Sequence, residues 1–324
     1  MTIMTILGID IGKYSFDLAL KTKDKYQDKT FSNNEAGFEA LSCWLKSHNI
    51  AQGWFCLEAT GIYGQQLVNY LIVQGHQVSV VNPRAIEAYA RSQMRRNKTD
   101  KQDARLIAQY CESSRPQLWE PLAPQLVQLQ ALARHLESLT QQHAQQRNHL
   151  ESQTQPLVIA STQRLMASIE QEIQQIQAII QTEIAQNAQL QKNQELLMSI
   201  PGIGQTTATL ILGEVGEISR FESVKQLDAY VGLCPSEHCS GSSVKKKTQL
   251  SKLGNSRLRK GLYFPALSAK QHNPIVRDFC LRLQQKGKAK MAIIGAAMRK
   301  VLHLVYGVLK NQQPFDPHYL QKAV

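Results

Sequence analysis

Residues 6–20 read ILGIDIGKYSFDLAL, and the order of apolar and polar positions in them sets the class of the fold. The apolar run through Ile9 and Ile11 reads as a buried strand, Gly12-Lys13 as a turn, and the alternation from Ser15 to Leu20 as the second strand of a hairpin. WFCLE at 54–58 and QVSVV at 77–81, the latter closed by Asn82-Pro83, read as further strands. Between them QQLVNYLIVQ (65–74) has helical spacing. Strands and helices therefore alternate, which predicts an α/β domain with helices packed on a sheet over residues 1–124.

Beyond Pro124 the texture changes. Residues 125–199 hold 19 Gln, and Leu129, Leu132, Leu136 and Leu139 alternate spacings of three and four. Ile169, Ile173, Ile176 and Ile180 repeat that rhythm beyond Pro156. The expected structure for 125–198 is an antiparallel coiled-coil hairpin, either a pair of core helices or a dimerisation arm. From Ser199 a third, mainly helical unit (199–324) opens with SIPGIGQTTATLIL. A Gly-rich turn before a helix start resembles the helix-hairpin-helix element that holds a nucleic-acid phosphate on backbone N–H groups, here at Gly202 and Gly204. A polar loop is expected at 237–247.

The chain has 324 residues, 43% of them hydrophobic, and a net charge of +12. Disorder is excluded and a sizeable core is expected. The longest uninterrupted apolar run, Met291 to Met298, falls well short of the ~20 residues a membrane span needs, so no membrane partner is expected. MTIMTILGID has no basic start and runs into a strand, so a cytoplasmic location is expected. Six scattered cysteines in mostly apolar contexts read as reduced thiols. The charge itself is unevenly placed: 14 basic and 12 acidic residues in 1–124, 4 and 6 in 125–199, 19 and 7 in 200–324. Lys245, Lys246, Lys247, Lys252, Arg257, Arg259 and Lys260 meet no acidic residue between 244 and 260, and 281–300 adds six more basic residues. That is the footprint of a polyanion-binding surface.

The carboxylates carry the chemistry. Asp10 interrupts an apolar strand, where an ionised group must be compensated. Glu58 ends WFCLE just before the small residues Ala59, Thr60 and Gly61. Asp100 and Asp103 in RRNKTDKQDARLIAQY stand three apart at a helix start, so their Cβ atoms are ~5–6 Å apart on one face. Like charges that close repel unless a cation sits between them. Four hard-oxygen donors suit a pair of Mg²⁺ ions binding the attacking and leaving oxygens of a phosphodiester. Arg91, Arg95, Arg96 and Lys98, just ahead of the pair, suit the nucleic-acid backbone. In this order the four carboxylates resemble the ribonuclease H-like fold of RuvC-type Holliday-junction resolvases.

A second constellation is EHCSGSS at 237–243, directly before the triple lysine. A serine in a Gly-flexible loop can approach a phosphate closely, and neighbouring cations offset its charge. Cys234, His238 and Cys239 lack a second close pair of soft ligands, so no zinc site is expected. Spacing alone leaves Ser240, Ser242 and Ser243 open as the attacking residue.

GIDIGK (8–13), EATGIY (58–63), RNKTDKQDA (96–104), SIPGIG (199–204) and SGSSV (240–244) together resemble the DEDD transposases of the insertion-sequence family numbered one hundred and ten. The resemblance covers nearly the whole chain, with no departure at a motif position. It implies an N-terminal RuvC-like domain, a coiled-coil arm and a C-terminal transposase domain. It further implies that Asp10, Glu58, Asp100 and Asp103 bind Mg²⁺ and that Ser240 forms a phosphoserine link to DNA. A structured bridge RNA would pair with target and donor DNA, and dimers would synapse as a tetramer. Two other readings stand beside this one. The first is a two-metal nuclease or resolvase using water, with the serine loop only a phosphate clamp. The second is a binding scaffold indifferent to Asp10 and Ser240.

Overall fold

The computed structural model describes residues 5–22, 25–59, 61, 63–94, 100–236, 239–240, 244–245 and 249–318. It divides into two compact units, 1–121 and 122–324. Residues 125–198 and 199–324, which the sequence separates, thus fall in one unit.

The first unit is a five-stranded mixed sheet with helices on both faces. The hairpin expected at 6–20 forms as β1 (Thr5–Ile11) and β2 (Ser15–Thr22), and β3 (Lys25–Ser32) extends it antiparallel. After α1 (Glu35–Ser47), β4 (Gly53–Glu58) returns parallel to β1. Then α2 (Gln65–Val73) crosses to β5 (Gln77–Val81), giving the order β3-β2-β1-β4-β5. The helices α3 (Pro83–Ser92) and α4 (Asp100–Ser114) follow. β3 escapes the hydrophobic pattern because KYQDKTFS buries only Phe31.

Strand alternation sorts the residues onto two faces. Leu7, Ile9, Phe16, Leu18, Phe55 and Leu57 pack with Phe38 and Leu41 of α1 and Leu67 and Leu71 of α2. On the opposite face Cys56 and Val81 pack with Leu106, Ile107 and Cys111 of α4. Cys56 and Cys111 are buried free thiols; a hydrogen bond with Cys111, together with burial, pushes the Cys56 thiol far up. Against this face α4 lies unusually close. A Cβ placed on Gly8 would stand 2.0 Å from the Ala104 carbonyl oxygen and 2.4 Å from the Ala108 nitrogen, so only glycine fits. Two ion pairs clamp the helix at its flanks. Arg105 reaches Asp28 of β3 with both Nε (2.9 Å) and Nη2, and Glu112 pairs with Lys21 of β2.

The second unit is mainly helical. α5 (Pro124–Glu151) and α6 (Pro156–Ala185) are long, pack together and are joined by residues 152–155. α7 (Ala188–Met198), α8 (Gln205–Val215) and α9 (Val224–Val231) continue the chain. The stretch 237–247, expected as a loop, holds the short pair β7 (Cys239–Ser240) with β8 (Val244–Lys245), and β6 (Pro235–Ser236) pairs with β9 (Gln249–Leu250) on either side of it. Two-residue ladders are too short to leave an alternating pattern. α10 (Ser256–Gly261), α11 (Tyr263–His272), α12 (Pro274–Gln285) and α13 (Lys290–Asn311) complete the unit. Leu129, Leu136, Ile180 and Ile184 share one core with Ile211, Leu258, Val301 and Val305. α13 is long and apolar enough to cross a membrane by length and composition, yet half of its apolar window is buried inside the unit.

Gly8→Ala should lower the thermal midpoint by several degrees, the cost of overpacking being about 1–3 kcal/mol. Gly307→Ala, with nothing within 4 Å of an added Cβ, should leave it unchanged or raise it slightly. Circular dichroism melts of the two variants check this.

Candidate active site

Asp10 is the penultimate residue of β1, two positions beyond Gly8 and therefore on the face that α4 covers. It is half-buried rather than fully enclosed, because it lies near the open end of the strand. Parallel pairing runs Gly8↔Cys56 and Ile9↔Leu57, so Glu58, the last residue of β4, follows at the level of Asp10 on the same face. The Gly8 contact points at Ala104 and Ala108 of α4, and Asp100 and Asp103 occupy the first turn of that helix. Asp100, Asp103, Ala104, Ile107, Ala108 and Cys111 follow i, i+3, i+4, i+7 spacing, so one helix face carries both carboxylates and the packing surface.

The electrostatics register the gathering. The Asp10 carboxyl is raised from 3.8 to about 6, first by burial and then by the charges of Asp103, Asp100, Glu58 and Asp17. Asp17 escapes the sequence reading, although it stands directly across the ladder from Asp10. Its Oδ1 accepts a hydrogen bond from Thr30 Oγ1 at 2.5 Å. Four carboxylates thus act on a fifth. Among the described residues, no three His, Cys, Asp or Glu side chains are drawn together tightly enough to form a metal-binding group. The donor set still fits a hard divalent cation, since every donor is a carboxylate oxygen and the repulsion felt at Asp10 is what a cation relieves.

Of the other candidates, Arg95, Arg96, Lys98, Lys246, Lys247, Ser242 and Ser243 lie outside the described residues, whereas the backbone of Ser240 pairs with Val244 in the β7–β8 ladder. Lys245 lies on β8. Gly202 adopts φ +108°, and a Cβ there would stand 2.8 Å from the Ala269 nitrogen, so the Gly-rich turn seats on α11. Gly204 is the N-cap of α8 without a side-chain cap. Lys252 is exposed. Arg257 and Lys260 pair with Glu137 of α5 at 2.6 and 3.7 Å, and Arg259 Nη1 donates to the Val231 carbonyl at 2.9 Å. These three cations are thus engaged within the unit.

The stem of the serine loop rests on a buried carboxylate that sequence reasoning missed. Glu214 on α8 accepts from Arg134 Nε (2.6 Å) and Nη2 (3.0 Å) and from Asn255 Nδ2 (2.7 Å), and these donors hold its carboxyl below the ordinary range against the effect of burial. Asn255 N donates to the Tyr230 carbonyl at 2.7 Å, and Ser251 N to the Cys234 carbonyl at 2.8 Å. A second buried carboxylate, Asp228, accepts from Arg299 Nε at 2.7 Å and hydrogen-bonds His303 Nε2 at 2.9 Å. GEVGE and QLDAY offered only isolated acids in apolar helices as a signal.

Residues 7–157 match a DEDD transposase family model of the IS110 type, and residues 194–281 match the transposase IS116/IS110/IS902 family. Over 315 residues, 96% of this chain and 98% of the relative, the sequence is 37% identical to a pilin gene-inverting protein of Moraxella lacunata. The chain belongs to the IS110 family of transposases. This transposase is also 23% identical over 295 residues to the transposase for insertion sequence element IS1111A of Coxiella burnetii, covering 82% of this chain and 78% of that one. It is 25% identical over 296 residues to the transposase for insertion sequence element IS1328 of Yersinia enterocolitica, covering 79% and 81%. The transposase is a DNA-recombining enzyme of a family that uses a divalent metal.

Because the folded Asp10 carboxyl titrates above its unfolded value, its ionisation costs stability above pH ~6, and that cost fades as pH falls toward 4. Asp10→Asn should therefore raise the thermal midpoint of metal-free protein at pH 8, by the equivalent of about 1 kcal/mol after solvent screening. The gain should shrink as pH falls below about 6 and vanish only below 3.8, as melts across that range would show. Glu214→Ala should cost roughly 2 kcal/mol or more in denaturant unfolding, since it strips the partners from Arg134 and Asn255.

Proposed function

We propose that the transposase is a Mg²⁺-dependent, bridge-RNA-guided recombinase of a mobile insertion element, with Ser240 as nucleophile. The observation that carries the metal site is the β1–β4 register that sets Asp10 and Glu58 level on the face covered by α4, whose first turn holds Asp100 and Asp103. Asp10, Glu58, Asp100 and Asp103 would hold the cations. When bound, Mg²⁺ supplies Lewis-acid stabilisation of the charge that develops on the phosphate and its leaving oxygen. Ser240 Oγ attacks the strand phosphate, the sugar hydroxyl leaves with a proton, and a phosphoserine link keeps the bond energy for rejoining without ATP. Reversal by a hydroxyl of a second strand reseals DNA and frees the serine.

The remaining parts follow the same reading. Residues 1–124 form the RuvC-like domain, 125–198 a coiled-coil arm and 199–324 the transposase domain with its helix-hairpin-helix-like turn. The length and mutual packing of α5 and α6 support the arm. Arg95, Arg96 and Lys98 in the first unit, and Gly202, Gly204, Lys245, Lys246, Lys247, Lys252, Arg257, Arg259 and Lys260 in the second, contact nucleic acid. The last third, with 19 basic and 7 acidic residues, supports this. Target and donor DNA and the guide RNA are the partners, dimers pair as tetramers in synapsis, and the site of action is the prokaryotic cytoplasm.

Expression with the element's flanking DNA, its encoded RNA and a target plasmid, followed by denaturation, tests the mechanism. DNA should stay covalently attached to wild type, Ser242→Ala and Ser243→Ala, and be lost in Ser240→Ala and Asp10→Ala. Nicked DNA without an adduct would instead assign the attack to water. Binding should also weaken steeply with salt, as phosphate neutralisation requires.

A further inference from the structure

We infer that Tyr14 and Tyr63 form a platform that stacks an unpaired base of the DNA strand held at the carboxylate cluster; the inference rests on the metal-site reading above. Tyr14 lies four residues beyond Asp10 in the β1–β2 turn, and Tyr63 five beyond Glu58. Both therefore stand at the carboxyl ends of adjacent parallel strands, the edge where open α/β sheets receive their ligands. Phe16, Phe31 and Phe38 of β2, β3 and α1, by contrast, are buried and pack ring against ring in the core. Tyr14 is 77% exposed and Tyr63 43%, so both rings are open to solvent.

One exposed aromatic would be unremarkable on any protein surface. Here a single asparagine draws two of them to one rim. Asn33 donates its backbone N–H to the Tyr14 carbonyl at 2.9 Å, and its Nδ2 to the Gly12 and Tyr63 carbonyls, each at 3.0 Å. The segments that follow the two strand carboxylates are thus pinned to the same side chain, which fixes both ring bases relative to Asp10 and Glu58. Lys13 Nζ sits 4.9 Å from the Tyr14 ring centroid, placing a cation beside the ring where a phosphate next to a stacked base would lie. Aromatic faces flanked by cations are how single strands are held without regard to sequence.

The test uses full-length protein and duplex DNA carrying 2-aminopurine either in a short bulge or fully paired, read by fluorescence and by affinity. Wild type should quench the bulged probe more than the paired one. Tyr14→Ala/Tyr63→Ala should lose that difference and bind the bulge about tenfold or more weakly, the equivalent of one lost stack. Tyr14→Phe/Tyr63→Phe should behave as wild type, since the ring and not the hydroxyl does the stacking. Asp10→Asn should lose cleavage. Cleavage retained in Asp10→Asn would sink the metal-site reading and, with it, the role given to the platform there. Quenching unchanged in the double-alanine variant would overturn the platform, and an accompanying change in oligomeric state by light scattering would assign the rim to a second copy of the chain.

Discussion

The contact of α4 with β1 at Gly8 is the constraint on which the N-terminal unit depends. Helices normally rest on sheets with side chains between them. Glycine on the strand and two alanines on the helix remove that layer, and the backbone of α4 descends onto β1. Such closeness is maintained because Arg105–Asp28 and Lys21–Glu112 tie the flanks of the helix to β3 and β2. Its consequence is electrostatic. The first turn of α4 is brought within range of the ends of β1 and β4, and Asp10 cannot ionise as easily as an isolated carboxylate. The fold spends stability on concentrating negative charge at one edge of the sheet, a cost that makes sense where a divalent cation is to be held.

The C-terminal unit arranges its charge differently. Its buried carboxylates are supplied with donors: Glu214 with Arg134 and Asn255, Asp228 with Arg299 and His303. Asp228 Oδ1, like Gln194 Nε2 and Asn273 Nδ2, is buried without a hydrogen-bond partner among the described residues. The Glu214 group fixes the stem from which the serine loop rises, through Asn255 and Tyr230. One unit thus holds carboxylates that call for a ligand, and the other holds carboxylates already spent on structure.

Much of this was legible in the sequence for simple reasons. β1, β2, β4 and β5 carry strong apolar patterns, and the helical spacing of 65–74 left little choice for α2. Asp10, Glu58, Asp100 and Asp103 stood out because each sits where a charge is costly or repelled. What stayed hidden was long-range. Asp17 looked like one polar position in an alternating strand, and only the hairpin register sets it across from Asp10. Arg257 and Lys260 looked like free cations until α5 supplied Glu137, some 120 positions away in the chain. β3 and the short ladders around the serine loop lack the alternation that would announce a strand.

The most direct measurement is a titration of full-length protein with Mn²⁺, counting bound ions by electron paramagnetic resonance in wild type and Gly8→Ala. If the descent of α4 onto β1 builds the site, wild type should bind two ions and Gly8→Ala should bind them much more weakly, although all four carboxylates remain in the chain. Equal binding by the two proteins, or none by wild type, would contradict the account.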